Sequence, residues 1–573
     1  MSTPKKIFLI VQNIFHNKTV IHLLIIAIVS VVVLGAFWKE FYPNGHDLSY
    51  HAASVSGMSE RNIFEIFTSK IYGVVSNDLG YGEGLFYPPL SHIGAALIYK
   101  LISPFGLGVY VALRIFYFLV LFLAGILMRK LILLITKNEK AAIVSAIFYI
   151  TFPYVIANVL VRSAMAECMM FIFMPMTLIG LYYLMKDQYK KFLLFFTFGC
   201  VGMINSHLVM SLFFAIVCLV GFLPKIKNFL SKKKITYFCL SIFITIILSL
   251  PFLLPMLQNK INTDYYVFQP NLMSTTESLN LWTGKLDYVL SIDKTYISNI
   301  PLTLGFLGIA ILVYVLFNFK KTKTQVSAPF IIFSIITIML CLLFNVLPSI
   351  WDIVPGPLLL IQFPWRLYAF IALSMAILVG VSTPYFEKKS GWLFYIIVII
   401  SSLFSIAQIN NLPNTDDPAI QEKDLTYASS YVIDYLPTAT PATFTNTYVN
   451  EHTREPIVIG EDDIEISDLD SKVPDLSFNV SNIEKETHII LPRYYYLGYE
   501  IVAIYQNGAK EKINYGMSKE GFIEIVLNSD AQIQVTYPGT NLQKVSYIVA
   551  GVTLVIFISS VILKKDKQKI SHS

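Results

Sequence analysis

The residues best suited to chemistry occur in the stretch GHDLSYH, residues 45–51, which follows directly on an apolar run that resembles a membrane span. Asp47 is its only carboxylate, and His46 and His51 lie on either side of it. A carboxylate this close to a membrane could be an ordinary loop acid, a charge of a transport site, or a catalytic base that takes a proton from a hydroxyl group.

Further polar residues occur where predicted helices meet on one side of the membrane. Arg162 and Glu167 occur in VRSAMAECMM, and His207 occurs in MINSHLVM. Each one alone is explained more simply as an interfacial anchor. Ionisable groups at membrane depth are costly, however, so their concentration on one side favours a common functional site. The remaining candidates are Gln362, Trp365 and Arg366 in QFPWR, and Glu83 and Tyr87 in the same loop as Asp47.

Length and composition indicate a membrane protein with many spans. The chain has 573 residues, of which 55% are hydrophobic and 14% are charged, and its mean hydropathy is +0.62. Soluble domains carry about 25% charged residues, so this charge deficit indicates a polytopic protein. The N-terminus shows no small-residue cleavage site and is interpreted as a retained helix. All five cysteines fall inside apolar runs, which favours buried free thiols over disulfides or a metal site.

About twelve transmembrane helices are predicted, at about 20 residues for each crossing. They form a membrane domain over residues 1–410, and a last helix with a basic tail covers residues 546–573. The predicted spans are 19–38, 109–128, 141–160, 165–185, 191–206, 208–224, 235–257, 301–319, 328–347, 365–382, 391–409 and 546–563.

Charge in the connections predicts the orientation of these helices. Lysine-rich segments such as MRKLILLITKNEK, MKDQYKK and the C-terminal KKDKQK alternate with segments that lack such clusters. Positive residues accumulate on the cytoplasmic side, so both termini are predicted to be cytoplasmic. This pattern requires that residues 87–103 do not cross, and they are predicted to form an amphipathic helix in the outer interface. Residues 39–108 then form one external loop, and the candidate site faces outward.

A second composition change begins at residue 411. Residues 411–545 contain 21 Asp plus Glu against 9 Lys plus Arg, whereas the whole chain has a formal net charge of +6. Period-two stretches such as FIEIVL and AQIQVTY predict a small extracytoplasmic β-rich domain before the last helix. The tyrosines of RYYYLGYE are either a platform for a sugar acceptor or ordinary strand core. Since no basic patch lies outside the membrane, a nucleic-acid partner is not expected.

The order of these motifs resembles the GT-C glycosyltransferases, polytopic enzymes that move a sugar from a polyprenyl-phosphate carrier to an acceptor outside the cytoplasm. The shared order is a first helix, GHD, an interfacial loop, a YPPL helix and a span that ends in MRK. QFPWR, RSAMAE and LPRYYYLGYEI resemble two bacterial groups. These are the membrane proteins related to 6-pyruvoyl-tetrahydropterin synthase and the YfhO-type proteins, which are implicated in glycosylating envelope polymers such as lipoteichoic acid.

The resemblance implies a bacterial plasma membrane as the location and also implies roles for individual residues. Asp47 corresponds to the loop acid of the superfamily, and Arg366 corresponds to a contact of the carrier phosphate. The chain departs from metal-dependent members because GHDLSYH contains no Asp-x-Asp or Glu-x-Asp pair, so a divalent metal has no paired-carboxylate motif to support it. Further candidates for the carrier phosphate are Arg162 and Gln362, and the other site candidates are His46, His51, Tyr87, Glu83, Glu167, His207 and Trp365.

The predicted reaction is inverting sugar transfer from an undecaprenyl-type polyprenyl phosphate to an envelope glycopolymer, lipid or protein. One carboxylate would take the proton of the acceptor hydroxyl, and arginine would stabilise the leaving phosphate. The alternative is a transporter or flippase of lipid-linked glycans, for which charges at mid-membrane and repeat symmetry are expected. No repeat of fixed period is visible. A third interpretation is a non-catalytic scaffold that displays the β-rich domain.

Overall fold

A computed structural model of the protein describes residues 17–35, 45–73, 79–269, 275–284, 286–290, 300–410, 432–441, 455–459 and 463–563. The predicted basic tail and the first part of the acidic 411–545 segment lie outside these residues.

The described part of the chain starts with one helix, which is followed by a largely helical connection. The first helix is α1, Lys18–Val33, and Asn17 caps it by accepting the N–H of Thr19 at 3.0 Å. The connection then passes through the GHD stretch and ends in an amphipathic helix after two prolines. Its helices are α2 Leu48–Ser59, α3 Ile63–Thr68, α4 Glu83–Phe86 and α5 Leu90–Ile102.

Seven helices form the first half of the bundle. One of the predicted spans is broken, because Pro153 begins a new helix that is bent by 45° from the one before it. The second piece is buried along its whole length and ends directly before Arg162. The seven helices are α6 Val109–Thr136, α7 Glu139–Ile150, α8 Pro153–Leu160, α9 Met165–Met185, α10 Tyr189–Ile204, α11 Leu208–Phe222 and α12 Lys232–Asn262.

The second half of the bundle is built around one central helix. These helices are α13 Thr276–Leu281, α14 Leu286–Leu290, α15 Gly305–Thr322, α16 Ala328–Val346, α17 Gly356–Leu359, α18 Tyr368–Ser390 and α19 Trp392–Asn410. The apolar window of α18 and its preceding turn is 94% buried, as expected for a helix that is hydrophobic all round. Arg366 lies in the turn that directly precedes α18, so the packing of α18 fixes the position of this residue.

The predicted class, a polytopic helical membrane protein, is confirmed. Within the described residues, nine helices are long and apolar enough to cross a membrane, or up to ten if α7 and α8 count as one span. About twelve were predicted. The difference arises because α1 and α10 contain 16 residues each, which is shorter than a full crossing of about 20.

A β-rich region precedes the last helix, which confirms that part of the predicted fold. Its strands are β1 Ile457–Ile459, β2 Glu465–Lys472, β3 Asp475–Ser481, β4 Thr487–Tyr494, β5 Glu500–Tyr505, β6 Lys510–Ile513, β7 Tyr515–Met517, β8 Phe522–Leu527 and β9 Ala531–Thr536. They form two antiparallel sheets, ordered β1-β4-β8-β7 and β2-β3-β9-β5-β6. Alternate residues of both sheets point into one core, as in β9. The last helix, α20, is Asn541–Ile558.

The β-rich region shares its core with the first connection. The N–H of Tyr494 donates to the carbonyl of Leu79 at 3.0 Å. Gly82 lies against Tyr496 so closely that a Cβ atom there would be 2.5 Å from the ring. Tyr494 and Tyr496 are fully buried and Tyr499 is 5% exposed. These three tyrosines are therefore core residues of the β-rich region, and the interpretation of them as an acceptor platform is wrong. Tyr495 is half-buried, and its hydroxyl accepts the Asn262 side chain at 3.1 Å.

The two ends of the helical bundle differ in chemistry. At one end, the buried Arg129 binds the more exposed Glu139 at 2.6 Å, and the Lys130 ammonium lies 3.9 Å from the centre of the Phe195 ring. At the other end lie the start of α2, the break between α8 and α9, the starts of α11 and α18, and the β-rich region. We call this second end the polar end, because the predicted site residues meet there.

Candidate functional site

Asp47 is held at the polar end by its backbone. It is the residue before α2, and its N–H donates to the carbonyl of Arg162 at 3.0 Å. The neighbouring N–H of His46 donates to the carbonyl of Val161, also at 3.0 Å. The Asp47 side chain does not cap its helix, so the half-buried carboxylate is left for another partner. Burial raises the pKa of the Asp47 carboxyl, while the positive charges of Arg162, His46 and Arg366 oppose that rise.

A glycine makes this backbone pairing possible. A Cβ atom on Gly45 would lie 2.0 Å from Oγ and 2.8 Å from Cβ of Ser163, so no larger residue fits without displacing that loop. Ser163 itself has a φ of 52°, in the left-handed region, and its carbonyl accepts the Tyr117 hydroxyl at 2.7 Å. The glycine of the GHD motif therefore lets the Asp47 segment approach the turn between α8 and α9.

That turn contains a buried ion pair. Arg162 Nη1 donates to Glu167 Oε2, and the two side chains are only 6% and 1% exposed. The same nitrogen donates to Asn158 Oδ1 at 2.6 Å, and the Tyr154 hydroxyl donates to Glu167 Oε1 at 2.8 Å. Each charge is thus both paired and hydrogen-bonded, as a buried charge must be.

Arg366 lies on the other side of Glu167. Its Nε is 3.6 Å from Glu167 Oε2, too far for a hydrogen bond, and this buried nitrogen has no hydrogen-bond partner among the described residues. Its Nη1 donates to the carbonyl of Ile361 and to Gln362 Oε1, both at 2.8 Å. Gln362 adopts a φ of 64°, and Trp365 stacks on Phe363 with ring centres 4.5 Å apart. Gln362 therefore orients Arg366, and Trp365 packs beneath the turn.

His207 adds a third element to the same end. It caps α11, since its Nδ1 accepts the N–H of Met210 at 3.3 Å. Burial lowers the pKa of His207 to about 3, and the charges of Arg366, Glu167 and Arg162 also act on it. We call the set of Asp47, Arg162, Glu167 and Arg366 the arginine cluster. Its two acids and two bases balance in charge.

A second buried cluster lies beside the first. His51 Nδ1 is 2.8 Å from His92 Nε2, and His92 Nδ1 is 3.1 Å from Glu83 Oε1. The other carboxylate oxygen of Glu83 accepts the Ser54 hydroxyl at 2.7 Å. Glu83, His92 and His51 are each 1% or 2% exposed. We call these three residues the histidine chain. Burial raises the pKa of Glu83 to about 7, against the opposing effect of its hydrogen bonds.

Tyr87 lies between the two clusters. Its ring stacks on His92 with centres 5.1 Å apart and is 6.1 Å from the ring of His51. The charges of Asp47, Glu83, Arg366 and Glu167 all act on its hydroxyl, and burial raises the pKa of Tyr87 well above its usual value. Tyr87 is therefore an uncharged phenol that both clusters share.

The structure thus brings most of the predicted residues together. Asp47, Arg162, Glu167 and Arg366 meet in one cluster with His207 nearby, and Glu83 and His51 meet in the other. His46 is exposed. Sequence reasoning missed Tyr154, Asn158 and His92 as site residues. Asn158 had a signal, because it precedes Arg162 by four residues, the spacing that places two side chains on one helix face.

Among the residues that the structure describes, no group of three or more His, Cys, Asp or Glu side chains is arranged to hold a metal ion. In the histidine chain the ring nitrogens and the carboxylate already face one another.

An apolar cavity of about 470 Å³ lies among α9, α10, α11 and α12. Its lining includes Met203 and Ser211, which are four residues either side of the His207 cap. Other lining residues are strongly exposed, among them Leu219 and Ile246, so the cavity opens sideways between the helices. An apolar ligand would suit this lining.

Comparisons with known proteins give limited guidance. The chain matches no model of a known protein family. It is 22% identical over 557 residues to an uncharacterized protein of Lactococcus lactis subsp. cremoris (strain MG1363), and the match covers 88% of each chain.

Among solved structures, the chain is similar to the Archaeoglobus fulgidus oligosaccharyltransferase in the apo form, with a TM-score of 0.43 and 13% sequence identity. The match covers 73% of this chain and 61% of that enzyme, which is less than two thirds of its length. Similarity at this level assigns no function, so the proposal below depends on the site itself.

Proposed function

We propose that the protein is an inverting glycosyltransferase that moves a sugar from a polyprenyl-phosphate donor to a cell-envelope acceptor on the extracytoplasmic side. The observation that carries this proposal is the arginine cluster. It places an uncapped carboxylate, Asp47, beside two buried arginines, and Arg366 keeps a nitrogen without a hydrogen-bond partner among the described residues.

Asp47 is the general base in this proposal. An acceptor hydroxyl is a poor nucleophile near neutral pH, and a carboxylate within hydrogen-bond reach can take its proton as it attacks the anomeric carbon. The C–O bond to the carrier phosphate breaks as the new C–O bond forms. A single base with direct displacement gives inversion at that carbon.

Arg366 stabilises the leaving phosphate. A phosphate leaving group needs no proton, but its negative charge must be met by donors that are already in place. Gln362 and the Ile361 carbonyl fix one side of the Arg366 guanidinium at 2.8 Å each, which leaves its other N–H groups for a ligand. Glu167 limits the repulsion between Arg366 and Arg162 before the donor binds.

Helix starts add to this anion preference. α2 begins after Asp47, α9 begins two residues before Glu167, and α11 begins after His207. The N-terminal ends of helices carry partial positive charge and favour anions. A phosphate at the polar end would therefore be met by three helix starts and two arginines.

The lateral cavity suits the other part of the donor. A polyprenyl chain must remain in an apolar environment while its phosphate reaches the site. The cavity among α9 to α12 is apolar, opens sideways and begins next to His207. A polyprenyl-phosphate donor is also supported by two resemblances. The motif order resembles that of GT-C enzymes, and QFPWR and RSAMAE resemble segments of YfhO-type proteins.

A transporter or flippase of lipid-linked glycans is the competing function. A transport site is expected near mid-membrane between repeated halves. The arginine cluster instead lies at helix ends, next to the starts of α2, α9 and α18. This placement favours a glycosyltransferase over a transporter of lipid-linked glycans.

The deciding experiment uses purified full-length protein in proteoliposomes with a radiolabelled polyprenyl-phosphate sugar and envelope polymer. The proposal expects label on the polymer, with the opposite anomeric configuration to the donor. Movement of the labelled lipid across the bilayer without transfer to any envelope acceptor would instead establish the flippase.

Arg366→Lys should lower turnover while preserving charge. Lysine cannot hold the Ile361 carbonyl and Gln362 while presenting further N–H groups in a fixed plane. Removal of one charge-stabilising donor costs about 10²–10³-fold in kcat, and we expect Arg366→Ala in this range with Arg366→Lys smaller. Turnover and donor affinity are measured by the transfer assay.

The matched control for this prediction is Arg61→Lys. Arg61 donates to the carbonyl of Val473 at 2.7 Å, where the first connection meets the β-rich region. The Arg61→Lys substitution should leave kcat near the wild-type value. Equal kcat values for Arg366→Lys and wild type would show that the planar arrangement of the Arg366 N–H groups is not needed for catalysis.

A further inference from the structure

We propose that His207 binds the phosphate of the polyprenyl donor through its Nε2–H and holds that phosphate at the mouth of the lateral cavity. The inference deepens the proposed function and rests on it, because the ligand is the donor of that reaction. His207 lies in the turn between α10 and α11, where the lateral cavity approaches the polar end.

The backbone of His207 is bonded to two residues that line the cavity. Its N–H donates to the carbonyl of Met203 at 2.8 Å. Its carbonyl accepts the N–H of Ser211 at 3.0 Å and the Ser211 hydroxyl at 2.8 Å. Met203 belongs to α10 and Ser211 to α11, and both line the cavity. The imidazole of His207 is therefore attached at the edge of the cavity.

The cap of α11 fixes the tautomer of the His207 ring. Nδ1 accepts the N–H of Met210 at 3.3 Å, so a neutral ring carries its proton on Nε2. Burial lowers the pKa of His207 to about 3, so the ring is neutral near pH 7. His207 is half-buried, and this cap is the only hydrogen bond of its side chain among the described residues. Nε2–H is therefore available to donate to a ligand.

A cap alone does not require a histidine at this position. Serine, asparagine and aspartate are the favoured capping residues, and Asn17, Asn138 and Ser231 cap other helices of this bundle. Histidine caps with one ring nitrogen and carries a second nitrogen on another side of the ring. Because Nδ1 faces the first turn of α11, Nε2–H points away from that helix.

The charges around His207 favour an anion as its ligand. Arg366 and Arg162 act on the ring from the arginine cluster, together with Glu167. The start of α11 adds partial positive charge. A phosphate oxygen is a strong acceptor, and a neutral N–H group donates to it without losing its proton. His207 thus adds one directional hydrogen bond to the positive charge of the two arginines.

The cavity favours a phosphate that is attached to a lipid. Its volume is about 470 Å³, and most of the side chains that line it are apolar. A polyprenyl phosphate can place part of its chain there while its phosphate binds His207. Inorganic phosphate can make only the second of these contacts, so it should bind more weakly.

A photoactivatable lipid shows where the donor binds. Polyprenyl phosphate with a diazirine on its chain should label peptides of α10, α11 and α12 in proteoliposomes of the full-length protein, because these helices line the cavity. α15 does not line it, and its Phe317 is 85% exposed, so the α15 peptide measures nonspecific labelling. An excess of inorganic phosphate should not reduce the labelling of the cavity.

His207→Ser separates phosphate binding from capping. Serine keeps an oxygen that can accept the Met210 N–H but removes Nε2–H. The concentration of polyprenyl phosphate that gives half-maximal labelling should rise about 10-fold or more, the effect of losing one hydrogen bond to a charged group. The melting temperature should stay near the wild-type value. A photoactivatable polyprenol, which has no phosphate, should label wild type and His207→Ser equally.

Ser231→Ala is the matched control, since it removes the cap of α12, in which the Ser231 hydroxyl accepts the N–H of Lys234 at 3.3 Å. This variant should keep the wild-type half-maximal concentration. Equal values for wild type and His207→Ser with polyprenyl phosphate, or no labelling of the cavity above the α15 background, would overturn the inference. If labelling depends on His207 and the wild type transfers no sugar, the inference stands and the proposed function is what fails.

Discussion

Asp47→Asn should abolish most of the turnover and leave the fold and donor affinity intact. Asparagine keeps the size of the side chain and its hydrogen-bonding reach but cannot accept a proton, and removal of a general base costs about 10²–10⁴-fold. The fold should tolerate the change because Asp47 is held through its backbone: its N–H and carbonyl bind Arg162 and His51, and its side chain does not cap α2. Single-turnover transfer and donor binding are measured on the same preparation.

Asp352→Asn is the matched control for this substitution. Asp352 accepts the Asn280 side chain at 2.9 Å in a connection outside both clusters, so its loss should not change turnover. Wild-type activity in Asp47→Asn would remove Asp47 from the mechanism. A retained kcat with a raised KM would instead make Asp47 a binding group.

The fold class can be predicted from the sequence, because a helix that crosses a membrane needs an apolar run of a nearly fixed length. The run 165–185 predicted both ends of α9, since about 20 residues are needed to cross, whereas 109–128 predicted the start of α6 but not its continuation to Thr136. The break at Pro153 was visible only as a proline within a run, and the bend of 45° depends on how α8 packs. The period-two pattern of AQIQVTY likewise predicted β9, because alternate residues face one core.

The site could be predicted in part, and the limit is physical. The sequence predicted Asp47, Arg162, Glu167 and Arg366 as site residues because a charge near a membrane is costly. This cost can be recognised at each position alone, without knowledge of the packing. The histidine chain could not be predicted, because His51 and His92 lie 41 residues apart and only the packing of α2 against α5 brings them to 2.8 Å. The burial of Tyr494 and Tyr496 depends similarly on the approach of Gly82.

The sequence also left open whether Arg162 binds the donor or pairs with Glu167. The pair exists in the structure, where Ser163 reverses the chain with a φ of 52° and brings the two side chains together. Arg162 Nη1 is then fully used by Glu167, Asn158 and Tyr154. Arg162 therefore mainly stabilises the turn, whereas Arg366 has more N–H groups available to bind the donor phosphate.

Glu167→Gln should destabilise the protein more than Arg162→Met does. Glu167 faces both Arg162 and Arg366, so its loss leaves two buried positive charges with only the half-buried Asp47 to compensate them. Breaking a buried pair in this way costs about 3–5 kcal/mol in the free energy of unfolding. Arg162→Met leaves Glu167 with Arg366, 3.6 Å away, and with the Tyr154 hydroxyl, 2.8 Å away, so the remaining charge is partly compensated.

A double-mutant cycle in detergent measures this coupling. Arg162→Met combined with Glu167→Gln should recover part of the stability that Glu167→Gln loses, because the double variant leaves one buried arginine instead of two. The exposed pair of Lys512 and Glu500, 2.9 Å apart, provides the control cycle and should show little coupling. If Arg162→Met lowers donor affinity with stability unchanged, Arg162 is a donor contact and the pair with Glu167 is not what maintains the turn.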